Sequence, residues 1–240
     1  MNKETILLQG IETLCKNDNE INNLVAPNKE NIILQLTRYI NEIELFNPAY
    51  GLVGANDTEE LIIKHILDSL APLGIFSRLL SALRAPLAED SMPASERLYQ
   101  YNIADAGSGA GLPGIPLAII LPRCEISLIE RMGRRAGFLH NTKASLSLSN
   151  INVEESEIEK AAVERFDLVT FRAFKPLEPK ILKSLFRLCK PQGIIAAYKG
   201  KKDKIEAEMK SLADNTKWEV IPYKVPLLDE ERHILVVRAM

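Results

Sequence analysis

Cysteine is scarce and dispersed: Cys15, Cys124 and Cys189 are the three in 240 residues. An odd number, so far apart, gives neither a disulfide framework nor a zinc site and fits a reducing, cytoplasmic setting. The histidines His65, His140 and His233 are equally scattered, and no metal is expected. No uninterrupted apolar run approaches the ~18 residues that span a bilayer, so no membrane partner is expected. The opening MNKETILLQGIETLCK carries Glu4 and Glu12 within its apolar stretch and has no small-residue cleavage site, unlike a signal peptide. Aromatic residues are 6%, with one tryptophan, which leaves few rings for stacking on bases. Charge of one sign is missing too, with a net charge of −2. That figure hides an asymmetry: residues 1–95 carry −6 and residues 96–240 carry +4. The second part can meet a polyanion, although its field is weak.

What is present is ordinary for a globular chain with a real core, 46% apolar and 26% charged. Up to about residue 90 the pattern is helical. Apolar positions recur at three- and four-residue spacing from Asn31 to Phe46 and stop at Asn47-Pro48. Asp57-Thr-Glu-Glu60 forms an N-terminal capping box, after which Leu61, Ile62, Ile66, Leu67 and Leu70 share one helix face. Residues 85–97 (APLAEDSMPASER) read as a polar loop.

From residue 98 strands alternate with helices. YNIADA, EISLIE (125–130), INVEES (151–156), FDLVTFRA (166–173) and IIAAYKG read as five strands, and EPKILKSLFRLCK as the helix before the fifth. Such alternation means a parallel sheet covered on both faces. KWEVIPYKVPL and RHILVVRAM then follow with only a short polar turn between them, too short for a parallel crossover. Five parallel strands closed by an antiparallel hairpin is an α/β layout, that of the Rossmann-like class I S-adenosylmethionine-dependent methyltransferase fold. The expected organisation is a helical N-terminal extension over 1–95 and a methyltransferase domain over 96–240.

The stretch IADAGSGAGLPGIPLAIILP (103–122) poses the chemical question. Gly109, Gly111 and Gly114 spell G-x-G-x-x-G, the dinucleotide pattern, yet Asp105 and Gly107 precede them. Glycine lets the chain turn sharply from strand to helix while its backbone approaches a ligand. A pyrophosphate at that helix N-terminus would be repelled by Asp105, whereas an ammonium, directly or through water, suits it. Asp105 therefore favours S-adenosylmethionine over NAD. Glu130 closes the second strand and can accept both ribose hydroxyls of either ligand.

DAGSGAGLPGIPL, with KHILDSL (64–70), LIERMGRRAGFL, FRAF, YKG and ERHILVVR in order, resembles the bacterial small-subunit ribosomal RNA guanine-N7 methyltransferases, the glucose-inhibited division protein B family. The resemblance implies methylation of one guanine in the helix-18 loop of 16S rRNA, on the small ribosomal subunit, from S-adenosylmethionine. It places cofactor contacts on Gly107 and Leu112, on Ile158 and Glu159 flanking the adenine, and on Arg172, with Asp105 and Glu130 at the fold's general acid positions. The family's tryptophan-asparagine-x-x-tyrosine-asparagine-leucine run reads here Phe46-Asn-Pro-Ala-Tyr50-Gly51-Leu52, and Glu157 stands where an arginine is common. The segment 74–97 is long for the family.

Guanine N7 has a free lone pair, so its methylation needs alignment and electrostatics rather than a base. The chain fits, having neither an Asn/Asp-Pro-Pro-aromatic run nor a Pro-Cys nucleophile. Arg172, at a strand's carboxyl end, is the expected catalytic residue, orienting the guanine or holding the donor's carboxylate; a salt bridge with a nearby acid is the structural alternative. Arg131, Arg134, Arg135, His140 and Lys143 form one candidate RNA-phosphate group and Lys199, Lys201, Lys202 and Lys204 another. No DNA partner is expected. Phe171, Phe174 and Tyr198 are candidate stacking rings, with core packing favoured for Phe171. His65, near Asp68, and His233, beside Arg232, read as packed histidines, Cys189 as core, and Trp218 as an anchor of the closing hairpin. An NAD-dependent oxidoreductase, a methyltransferase of another substrate and a non-catalytic ribosome-binding module are the competing functions.

Overall fold

The computed structural model describes residues 2–84, 101–172, 177–210, 212 and 216–238. The expected loop 85–97 and Phe174 lie outside them. Helix α1 (Lys3–Asn17) is capped by the Asn2 side chain, which accepts from Thr5 N, and buries Ile6, Leu7, Ile11 and Leu14. After α2 (Asn19–Val25) and a 3₁₀ turn (Ala26–Asn28) comes α3 (Lys29–Tyr50). It runs past the expected stop and contains Pro48. Its end is set instead by Gly51, left-handed at φ 57°, and by Asn47, whose side-chain oxygen accepts from Leu52 N and Val53 N.

The capping box is present. Asp57 accepts from Glu60 N, and Glu60 reaches back to Asn56 N, one residue further than the simplest form. It opens α4 (Thr58–Leu61), which continues through a π-helical stretch (Ile62–Leu67) into α5 (Asp68–Leu70), followed by α6 (Leu73–Arg84). All five residues of the expected apolar face are buried. The run Thr58–Leu83 is, by length and composition, apolar enough to cross a membrane, but 72% of its most apolar window is buried within the fold.

The strands are β1 (Asn102–Ala106), β2 (Glu125–Glu130), β3 (Ile151–Glu155), β4 (Phe166–Arg172), β5 (Cys189–Lys199), β6 (Lys217–Tyr223) and β7 (Arg232–Arg238). They form one sheet in the order β3-β2-β1-β4-β5-β7-β6. The first five are parallel, and β7 runs antiparallel to both β5 and β6. Strand β5 starts five residues before the expected IIAAYKG, because Phe166 already pairs with Cys189 and the register then slips to Leu168 opposite Ile194. Pro191-Gln-Gly193 is thus absorbed as a bulge within β5.

Helices α7 (Gly114–Ile120), α8 (Gly133–Ser145), α9 (Pro179–Leu188) and α10 (Lys202–Lys210) complete the fold. One apolar cluster joins α1–α6, α7 and α8 to the sheet through Ile103, Ile126, Leu168, Ile194 and Ile234. A second packs α9 and α10 against the other face through Val169, Ile195, Leu235 and Val237. Trp218 is no buried anchor: it stands 38% exposed on the edge strand β6, opposite Val237.

Candidate active site

Strand β1 ends at Ala106, and the loop behind it folds back with Gly107, Gly109 and Gly111 at φ 72°, 59° and 90°. Glycine takes such values at no steric cost, and at Gly111 a Cβ would also lie 2.4 Å from Ile115 Cδ1. Asp105 lies fully buried beneath the loop, and its Oδ2 accepts from Ser108 Oγ at 2.7 Å and Gly114 N at 2.9 Å. One carboxylate thus pins the strand end, the loop and the first residue of α7. Its Oδ1 is buried with no partner among the described residues. Burial pushes the Asp105 carboxyl up to about 6, against the two hydrogen bonds and the nearby Arg172 cation, which pull it down. From above, Tyr39 of α3 donates its hydroxyl to Ala110 O at 2.7 Å, so the N-terminal helices brace the same loop.

Glu130, at the end of β2, accepts from Gly109 N through Oε2 and from Met132 N through Oε1, both at 2.8 Å. It is nearly buried, yet lines a cleft of about 740 Å³ with Gly107, Ile129, Ile158 and Glu159. Each carboxylate oxygen keeps a lone pair for a ligand hydroxyl. Lys180, Ile181 and Ser184 of α9 form the facing wall. Sequence reasoning passed over them; the signal was that Leu182 and Leu185 face the core, which turns their neighbours outward. Gly109, Gly111 and Leu112 shape the loop without lining this cleft, and Leu112 is buried.

Arg172 closes β4 at the same sheet edge, 14% exposed in its side chain. Its Nη1 donates to Lys64 O (3.1 Å), His65 O (3.4 Å) and Asp68 Oδ2 (3.4 Å), and its Nη2 lies 2.8 Å from His65 Nδ1. The acid of the structural alternative is therefore Asp68. Burial, with the Arg172 cation beside it, lowers the His65 imidazole to about 4; it is packed and neutral. Asp68 also accepts from Tyr223 OH at 2.8 Å and faces Arg232 Nε at 3.5 Å.

The cationic groups divide. Arg131 and Arg135 line the cleft, and Arg134 is exposed on α8. Arg135 donates to Gly51 O at 3.1 Å while its buried Nε has no partner among the described residues. His140 and Lys143 border a shallow hollow of about 260 Å³ further along α8. Lys199 is bonded to Glu208 at 2.8 and 3.0 Å, Lys202 faces Glu206 at 3.7 Å, and Lys201 and Lys204 are exposed. Phe171 and Tyr198 are buried, Tyr198 donating to Ser69 O, so neither is open to a base. His233 is buried against Gly200 O. Burial raises the Cys189 thiol to about 12, consistent with core packing and not with a nucleophile.

Sheet order, the antiparallel β7, the glycine loop after β1 and the carboxylate ending β2 define a class I S-adenosylmethionine-dependent methyltransferase. Residues 87–235 match the model of the GidB family, described as rRNA small subunit methyltransferase G. The ribosomal RNA small subunit methyltransferase G of Treponema denticola is 39% identical, over 97% of this chain and 93% of that protein. That of Shewanella loihica is 35% identical, over 85% of this chain and 88% of that protein. A SAM-dependent methyltransferase of Aquifex aeolicus superposes with a TM-score of 0.48 at 18% identity, over 59% of this chain and 85% of that one. The chain belongs to the rRNA small subunit methyltransferase G family.

Proposed function

We propose that this protein transfers a methyl group from S-adenosylmethionine to N7 of one guanine in the helix-18 loop of 16S rRNA, acting on the small ribosomal subunit in the cytoplasm. The observation that supports it most is the unspent acceptor beneath the glycine loop. Among the described residues Asp105 Oδ1 is buried and unpartnered, as an acceptor kept for a cationic ligand group would be, and the acid would repel a pyrophosphate. The NAD reading, drawn from Gly109, Gly111 and Gly114, gives way to the family membership.

The residues fit the donor. Glu130 has lone pairs left for two ribose hydroxyls, Gly107 gives close approach, and Ile158 and Glu159 flank the space for an adenine. Asp105, fully buried and outside the cleft lining, meets the ammonium of the aminoacyl end through a bridging water. Bound there, the donor supplies an electrophilic methyl on sulfonium. Arg172 is the cation at the carboxyl end of β4, where it orients the donor's carboxylate and the guanine. Since N7 carries no proton, what the chain contributes is alignment and a fixed field. Arg131, Arg134 and Arg135 at the cleft, with Lys201 beyond β5, are the proposed phosphate contacts. Lys199, held by Glu208, contributes to that loop's shape first.

The test uses methyl-labelled donor and small subunits from cells lacking this activity, with large subunits, DNA and bulk protein as controls. Label confined to small-subunit RNA and recovered as 7-methylguanosine supports the reading. Label in another nucleoside or another fraction overturns it.

A further inference from the structure

We infer that His65 is a positioning residue for Arg172, acting with Asp68 from the N-terminal helical region; the inference rests on the reading of Arg172 as a contact to donor or guanine. The two sides of this contact are about a hundred residues apart in the chain. Among the described residues, the four acceptors of Arg172 come from a five-residue span, Lys64–Asp68, in or beside the π-helical stretch. The π-helical stretch presents two successive carbonyls to Nη1, and His65 O also accepts from Asp68 N and Ser69 Oγ within the same helix.

Stability alone does not explain the arrangement. Asp68 is 4% exposed and is paired with two arginines and a tyrosine hydroxyl. Burying such a group costs desolvation that apolar residues of the same volume would avoid. What the ionic cluster does supply is direction. The carbonyls, the Asp68 carboxylate and His65 Nδ1 all engage the Nη atoms, so among the described residues the Nε–H of Arg172 is unspent. His65 can hold Nη2 only as an acceptor at Nδ1, with its proton on Nε2, which its neutral buried state permits. Tyr198 and Tyr223 fix the same helix to β5 and β6 through Ser69 O and Asp68. The guanidinium is thereby held in one orientation, fork toward the helix and Nε edge away from it.

The experiment compares His65→Asn with His65→Gln, because the Asn amide oxygen replaces Nδ1 whereas that of Gln replaces Nε2. Arg172→Ala and the His65→Gln/Arg172→Ala double variant complete a cycle. Donor dissociation constant, kcat and KM for small subunits, and Tm are measured on each. His65→Gln is expected to lower kcat/KM at least tenfold with Tm within a few degrees, His65→Asn to recover most of that loss, and the double variant to be no worse than Arg172→Ala alone. If Asn and Gln variants are equally active, or equally impaired, or if the losses multiply in the double variant, the positioning role is overturned while Arg172 keeps its own. If Arg172→Ala turns over like the parent, the reading of Arg172 fails first and the inference with it. Should His65→Gln not fold, Asp68→Asn enters the same cycle with the same expected non-additivity.

Discussion

At the scale of single residues, two buried groups have titrations displaced in opposite directions. Asp105 is raised to about 6, so it begins to take up a proton in the folded protein well before it would in a free chain. If its Oδ1 holds the donor's ammonium through a bridging water, donor affinity falls as pH drops through about 6, approaching tenfold per unit, and Asp105→Asn abolishes that slope; titration calorimetry between pH 5 and 8 reads it. His65 is lowered to about 4, against about 6.5 when exposed. Between those values the unfolded chain binds a proton that the folded one refuses, so stability is lost as pH falls from 6.5 to 4. Asp105 opposes this, since between its ordinary value and 6 the folded state binds the extra proton and gains as pH falls. Their slopes nearly cancel from 6 to 4. His65→Asn removes one of them, and relative to the variant the parent loses on the order of 3 kcal/mol over the window, measurable from urea midpoints. Glu130 is the simpler case: Glu130→Gln keeps the shape but gives up charge-assisted acceptance, and weakens donor binding by about 2 kcal/mol, roughly thirtyfold. Asp105 was legible as a site candidate because a strand end next to glycines is a local pattern, and Glu130 because it closes the strand that follows the glycine loop and its helix. The occupation of Arg172 by Lys64, His65 and Asp68 was not, because nothing in sequence spacing pairs residues more than a hundred positions apart.

At the scale of elements, periodicity found β2 to the residue and the capped helix face in full. It failed where a local breaker was overruled by its neighbours. Pro48 sits in the last turn of α3, where Asn47 ties the following loop and Gly51 supplies the left-handed cap. Pro191 is accommodated by a bulge in β5. The π-helical form of residues 62–67 has no signature in apolar spacing, since the same positions are buried either way. The link from α3 to the glycine loop is testable by Tyr39→Phe, which strands the buried Ala110 carbonyl. It is expected to cost 1–2 kcal/mol of stability, by denaturant unfolding, and to loosen donor binding several-fold. Gly51→Asn is expected to be near neutral, since asparagine tolerates φ 57°.

At the scale of the molecule, we propose that the N-terminal helices and the sheet form one folding unit, with residues 2–84 as half of a shared core rather than an appendage. One apolar cluster runs through both, from Leu7 and Leu36 to Ile126 and Ile234. A chain starting at residue 96 is then expected to be insoluble, or to bind hydrophobic dye without a cooperative thermal transition, whereas the whole chain melts once; calorimetry distinguishes the two. The alternation of strands and helices made the parallel half of the sheet readable. The slot taken by β7 was not, because a short antiparallel connection says which strands pair but not which of them lies inside. That slot has its own consequence. The strand latest in sequence lies between β5 and β6, with Ile234, Leu235, Val236 and Val237 wholly buried. While the chain is being made, β5 has no neighbour on one side and β6 has none to join, so two sticky edges wait for the same seven residues. A stop codon anywhere before residue 232 therefore removes the keystone rather than trimming an end. Such alleles should yield aggregates for the cell's proteases, with no residual enzyme.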